Sequence, residues 1–150
     1  MKHKGALAEY SHERADDLMR AYDKYISSCD RISMPDVYRT IVNMPASRFW
    51  VSDKRAVIVV SAIINGCDIL NGMWSLKREM YTEIYNRVMA LKAVKPDFSL
   101  AKLCRIVVMQ PAPKFYLSPG TAKAMVCKVR KEWRRRKLAN LRLLQSRQSR

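Results

Sequence analysis

The sequence predicts an all-α protein of about six helices, arranged as two tandem three-helix units of a helix-turn-helix-like kind with an extended basic C-terminal helix. Three observations carry that prediction. Residues 41–56 read IVNMPASRFWVSDKRA and residues 107–122 read VVMQPAPKFYLSPGTA, in register at an offset of 66 with no gap. Apolar residues recur at three- and four-residue spacing between serine and proline signals for helix ends. Basic residues crowd the last segment, which keeps helical spacing throughout.

The paired windows share Val42/Val108, Pro45/Pro111, Ala46/Ala112, Phe49/Phe115, Ser52/Ser118 and Ala56/Ala122. Arg48/Lys114, Trp50/Tyr116 and Val51/Leu117 keep their chemistry, and Ser33/Ser99 and Arg39/Arg105 extend the register upstream. Self-similarity at a fixed offset is the mark of an internal repeat. It divides the chain into a first three-helix unit at 1–72, a second at 73–144 and a frayed tail at 145–150, the whole forming one compact domain.

The first strong helical stretch begins at Ser11. Ala15, Leu18, Tyr22, Tyr25 and Ile26 form its apolar stripe, and Asp16, Asp17, Arg20 and Lys24 face away. It should end near Ser28. Ser33 then caps a short helix that runs to about Asn43, with Pro35 tolerated in the first turn and Pro45 stopping it. The β-branched run at 56–60 would read as a buried strand in isolation. Its counterpart settles the matter, because Ser118-Pro119 is a helix start and Ala122, Met125, Val126, Val129 and Trp133 follow at helical spacing. A helix is therefore predicted in both copies, with Gly66 ending the first.

Asn65-Gly66 and Asn71-Gly72 mark turns at the junction. A fourth helix from Ser75 to Val94 presents Met80, Ile84, Val88 and Leu91, and Pro96 closes it. Ser99 caps a fifth helix to Met109. The sixth runs from Pro119 to Leu144.

Charge bounds the partner. The net charge is +16, and eleven of the 29 Lys and Arg lie in residues 121–150, where Glu132 is the one acid. A polyanion is the expected ligand, and the C-terminal helix supplies most of the attraction. Lys123, Lys128, Arg130, Lys131, Arg134, Arg135, Arg136 and Lys137 are the expected phosphate contacts, with Arg142 beyond them. An anionic lipid surface or a purely solvating role are the alternatives for such a run. Cys29, Cys67, Cys104 and Cys127 have no metal-ligand spacing and read as small hydrophobes in a reducing compartment. Neither a metal nor a cofactor is expected. The longest apolar run is far short of the ~20 residues that span a bilayer, so a cytoplasmic protein is expected, nucleoid-associated if it binds DNA.

The repeated element P-A-x-(R/K)-F-(W/Y)-(V/L)-S sets a base beside two aromatics, a pattern that can pair a phosphate while a ring stacks on a nucleobase. Arg48, Lys114 and Tyr116 are therefore candidate contacts, with Arg39, Trp50 and Arg105 secondary. The opposing view makes Phe49 and Phe115 core plugs and lets Arg48 and Lys114 snorkel. The run at 56–64 has almost no polar face, so the first unit's third helix must be buried, with the second unit as its expected neighbour, and cannot read a groove. No phosphate loop, nucleophile motif or paired catalytic groups stand out, and a binding protein rather than an enzyme is expected.

The stretches NMPASRFWVSDKRA and QPAPKFYLSPGTA, followed by KVRKEW, resemble a group of short basic proteins of Bacteroidota genomes and their phage-like or mobile elements. That resemblance implies a bacterial intracellular origin and a mobile-element setting, and it supplies no mechanism. The expectation is a nucleic-acid-binding protein, with duplex DNA favoured over RNA. The rivals are an RNA-binding or ribosome-associated protein and a structural module of a phage or mobile element.

Overall fold

Serine hydroxyls open three of the six helices in the same way. In the computed structural model, which describes the backbone of residues 4–149 and the side chains of residues 10–149, the helices are α1 (Lys4–Ser28), α2 (Met34–Ile41), α3 (Asp53–Ile64), α4 (Ser75–Val94), α5 (Leu100–Val108) and α6 (Pro119–Gln148). Ser52, Ser99 and Ser118 each accept a hydrogen bond from the backbone N–H three residues on, at Arg55, Lys102 and Thr121. Each bond satisfies one of the orphan donors of a first helical turn. Ser33 holds the equivalent place before α2 without that side-chain bond.

The offset of the sequence windows recurs in the helix ends. The starts Met34 and Leu100 lie 66 apart, as do the starts Asp53 and Pro119 and the ends Ser28 and Val94. The ends Ile41 and Val108 miss it by one residue, and the end of α3 departs from it altogether. Gly66, at φ +77, closes α3 in a Schellman motif, with Gly66 N–H donating to Ile63 O and Cys67 N–H to Ala62 O. The position 66 further on is Glu132, which cannot take that conformation without strain, and α6 continues through Gln148.

The segments between α2 and α3 and between α5 and α6 cross at the centre. Ala46 and Ala112 exchange a pair of backbone hydrogen bonds at 3.0 Å each, an isolated antiparallel bridge. Phe49 N–H donates to Val108 O and Phe115 N–H donates to Val42 O, both at 3.0 Å. Exchanging each residue for the one 66 away turns the first of these bonds into the second. The pattern is that of a local two-fold relation.

The crossing exchanges the third helices. α3 packs on α4 and α5, and α6 packs on α1 and α2. Ion pairing and hydrogen bonding follow the same pairing: Arg105 of α5 meets Asp53 at the start of α3, and Arg130 of α6 meets the Tyr22 hydroxyl of α1. The packing clusters are therefore α1/α2/α6 and α3/α4/α5, which differ from the sequence-continuous units 1–72 and 73–144. Nor do α2 and α3 pack on each other as the two helices of a helix-turn-helix do. The connecting segment is spent on the crossing bridge instead of a tight turn.

One hydrophobic cluster joins both halves. Phe49, Leu18, Ile41, Val59, Val60, Ile84, Leu103 and Val107 are among its fully buried members. Burial of Ala56, Val59 and Val60 sets α3 against the second half, although Ile58 on its other side is exposed. Three boundaries differ from the sequence reading. α1 begins at Lys4 instead of Ser11, because the intervening residues include strong helix formers such as Ala6, Leu7, Ala8 and Glu9. α2 stops at Ile41, where turn bonds from Asn43 and Met44 prepare for Pro45. Residues 145–148, expected to fray, remain helical since no breaker intervenes, and Arg150 lies outside the described residues.

Candidate nucleic-acid interface

The repeated element faces inward. Arg48 Nε donates to Phe49 O at 3.0 Å and its Nη2 to Val51 O at 3.1 Å. Its guanidinium lies 4.9 Å from the Tyr10 ring centroid and 5.2 Å from that of Trp50. Expected to reach a phosphate, Arg48 instead closes its own loop and ties it to α1. Lys114 ion-pairs with Glu79 of α4 and sits 5.6 Å from the Tyr116 ring centroid. Its charge is engaged within the fold as well.

The aromatic members are packing elements. Phe49 and Phe115 are buried, as the core-plug reading holds. Tyr116 stacks on Phe49 with ring centroids 6.1 Å apart at 18°. It adopts φ 56, a left-handed conformation unusual for a residue with a Cβ. Burial, reinforced by Glu83 and Glu79, pushes its hydroxyl up to about 12. Trp50 lies edge-on to Tyr10, with centroids 6.5 Å apart, and its Nε1 donates to Asp17 Oδ2 at 2.9 Å.

Asp17 is the residue the sequence misplaced. It is buried, and its Oδ2 accepts from Ser47 N–H, the Ser47 hydroxyl and Trp50 Nε1 while Arg20 reaches Oδ1 at 3.3 Å. Its position beside Leu18 on the border of the apolar stripe was the one signal that could have revealed it.

The exposed cations are on α6. Thirty residues of helix span about 45 Å. Ala122 and Val126 anchor the first turns in the core, and every described residue from Trp133 onward is exposed. Lys128, Lys131, Arg135 and Arg142 follow at helical spacing along the side away from Ala122 and Val126. Lys123, Arg130, Arg134 and Lys137 form a second row beside them, with Arg136 on the far flank. Among the described residues, none of these cations is in an ion pair; Arg130 alone has a side-chain partner, the Tyr22 hydroxyl at 3.4 Å. Of the secondary candidates, Arg39 is exposed on the last turn of α2, and Arg105 is 3.5 Å from Asp53. The structure thus brings the α6 cations onto one continuous helix and withdraws Arg48, Lys114, Trp50 and Tyr116 into the crossing.

No protein-family model, curated protein or solved structure matches this chain.

Proposed function

We propose that this is a non-enzymatic nucleic-acid-binding protein that lays α6 along duplex DNA and holds it through phosphate contacts. A duplication of one three-helix unit accounts for the bundle that carries the helix. The observation that supports the reading best is the set of exposed cations from Lys123 to Arg142, none of them paired with a carboxylate among the described residues. Like charges so dense repel one another, and phosphates relieve the repulsion while releasing their own counterions. B-form DNA has a major groove wide enough for a helix, whereas the deep, narrow groove of A-form RNA excludes one. Trp50 and Tyr116, the rings of the repeated element that could stack on unpaired RNA bases, are both half-buried against the fold. No helix among the described residues is long and apolar enough to cross a membrane. A bacterial nucleoid is the matching location.

The test is binding of the full chain to a labelled random-sequence duplex across a salt series, with RNA as competitor. If four to eight cations meet phosphates, log K should fall with log salt at a slope of about −4 to −7. Duplex should outcompete RNA. A flat salt response or negligible binding at low salt would remove this reading and point to a protein partner.

A further inference from the structure

Beside the cations of α6 lies a feature that phosphate binding does not explain. α1 and α6 enclose an open cleft of about 370 Å³, with Met19, Tyr22 and Asp23 on the α1 side. Trp133 lines the α6 side, flanked by Arg130, Arg134 and Lys137. Trp133 is 50 % exposed, so a large apolar side chain stands partly in water among three cations. Arg130 is held toward α1 by its bond to the Tyr22 hydroxyl, which fixes one wall.

The other half of the molecule serves as an internal control. Subtracting 66 converts Arg130, Trp133, Arg134 and Lys137 into Ile64, Cys67, Asp68 and Asn71. There Gly66 ends the helix, so no second wall is built, and neither the aromatic nor the cations are present. Trp133 comes one residue after the position where that stop would fall. The cleft exists because α6 runs on, and core packing does not require its contents, since Trp133 and the three cations are all exposed.

Resting on the nucleic-acid reading above, we propose that this cleft takes an unpaired nucleobase, stacked on Trp133, with the flanking phosphates on Arg130, Arg134 and Lys137. The chemistry of each wall fits that ligand. An indole face stacks on any base, and base-aromatic stacking tolerates every sequence. Asp23 is the one acid lining the cleft and offers an acceptor to a base's exocyclic amino group, which a phosphate alone does not supply. A volume of 370 Å³ is at the lower end of the range for small-ligand sites and suits a single base. The protein therefore distinguishes nucleic acid that offers an unpaired base, such as a duplex with a single-stranded overhang, from a blunt duplex.

The experiment measures the affinity of the full chain for a blunt duplex and for the same duplex carrying a short overhang. Wild type, Trp133→Leu and Trp133→Phe are compared at one salt concentration. Leucine removes the π face while keeping an apolar side chain, and phenylalanine restores a ring. The expected result is a wild-type preference for the overhang. Trp133→Leu should weaken overhang binding by about five- to a hundredfold and leave the blunt duplex nearly unchanged. Trp133→Phe should recover most of the loss. Equal losses on both probes, or no loss on either, would overturn the cleft while leaving the phosphate reading intact. Failure of wild type to bind either probe would overturn both.

Discussion

Asp17 pins the first crossing segment to α1, because three donors of that segment converge on one oxygen of its buried carboxylate. Asp17→Ala would strand the Ser47 N–H and the Trp50 indole N–H without partners. A loss of about 1–3 kcal/mol is expected, since hydrogen bonds to a charged acceptor contribute about 1.5–3 kcal/mol while exposed Ser47 and half-buried Trp50 stay partly open to water; the urea midpoint is the measurement, and a loss under about 0.5 kcal/mol would show that water replaces the carboxylate. Tyr116 gives a pH signature. Its folded pKa is raised from 10.0 to about 12, chiefly by burial, so the folded chain holds this proton more tightly than the unfolded chain. The associated stability is complete below pH 10 and is lost as pH rises from 10 towards 12. Tyr38 and Tyr81 are raised by burial too and act in the same direction. Thermal unfolding of Tyr116→Phe should therefore decline less steeply than wild type over that interval, and parallel curves would assign the alkaline loss to other groups.

At the scale of elements, α3 and α6 show what one residue does to a helix. Gly66 takes the left-handed conformation that turns the chain, and its two capping bonds end α3. Glu132 at the matching position leaves α6 free to propagate by another sixteen residues to Gln148. That extension contributes exposed charge and no buried side chain. Ending the chain after Glu132 should accordingly move the melting temperature by only a few degrees, as surface changes do. The same truncation should abolish tight duplex binding, because Arg134, Arg135, Arg136, Lys137 and Arg142 go with it. Circular dichroism melts and a duplex titration on one preparation separate the two effects. Undiminished binding by the truncated chain would move the interface off α6.

The whole molecule is held together by exchange. Each cluster of three helices takes two from one half of the chain and one from the other, and the paired crossing segments lock the arrangement at Ala46 and Ala112. A protease site placed in the exposed junction near Asn71 and Gly72 would cut the chain between α3 and α4. The two pieces should still co-elute as one species and separate only in denaturant, since α3 and α6 remain seated in opposite clusters. Separation under native conditions would mean that the clusters are not interlocked.

How much of this was legible follows the range of the forces involved. Helix starts at Asp53, Leu100 and Pro119, and the stop after Ile64, were readable because serine caps, proline and a left-handed glycine act within one turn. The basic surface of α6 was readable too, since Glu132 is the one acid within residues 121–150. Arg48, Lys114, Trp50 and Tyr116 were not, because a base beside two rings has the same local pattern whether it faces solvent or clamps a loop. The apolar run at 56–64 announced a buried helix and suggested the second unit as its neighbour, but no residue within it fixes that choice. Two halves with similar apolar stripes can bury that face equally well in either pairing. Only the backbone path through the crossing segments, pinned by the Ala46–Ala112 bridge, sends α3 to the second half and α6 to the first.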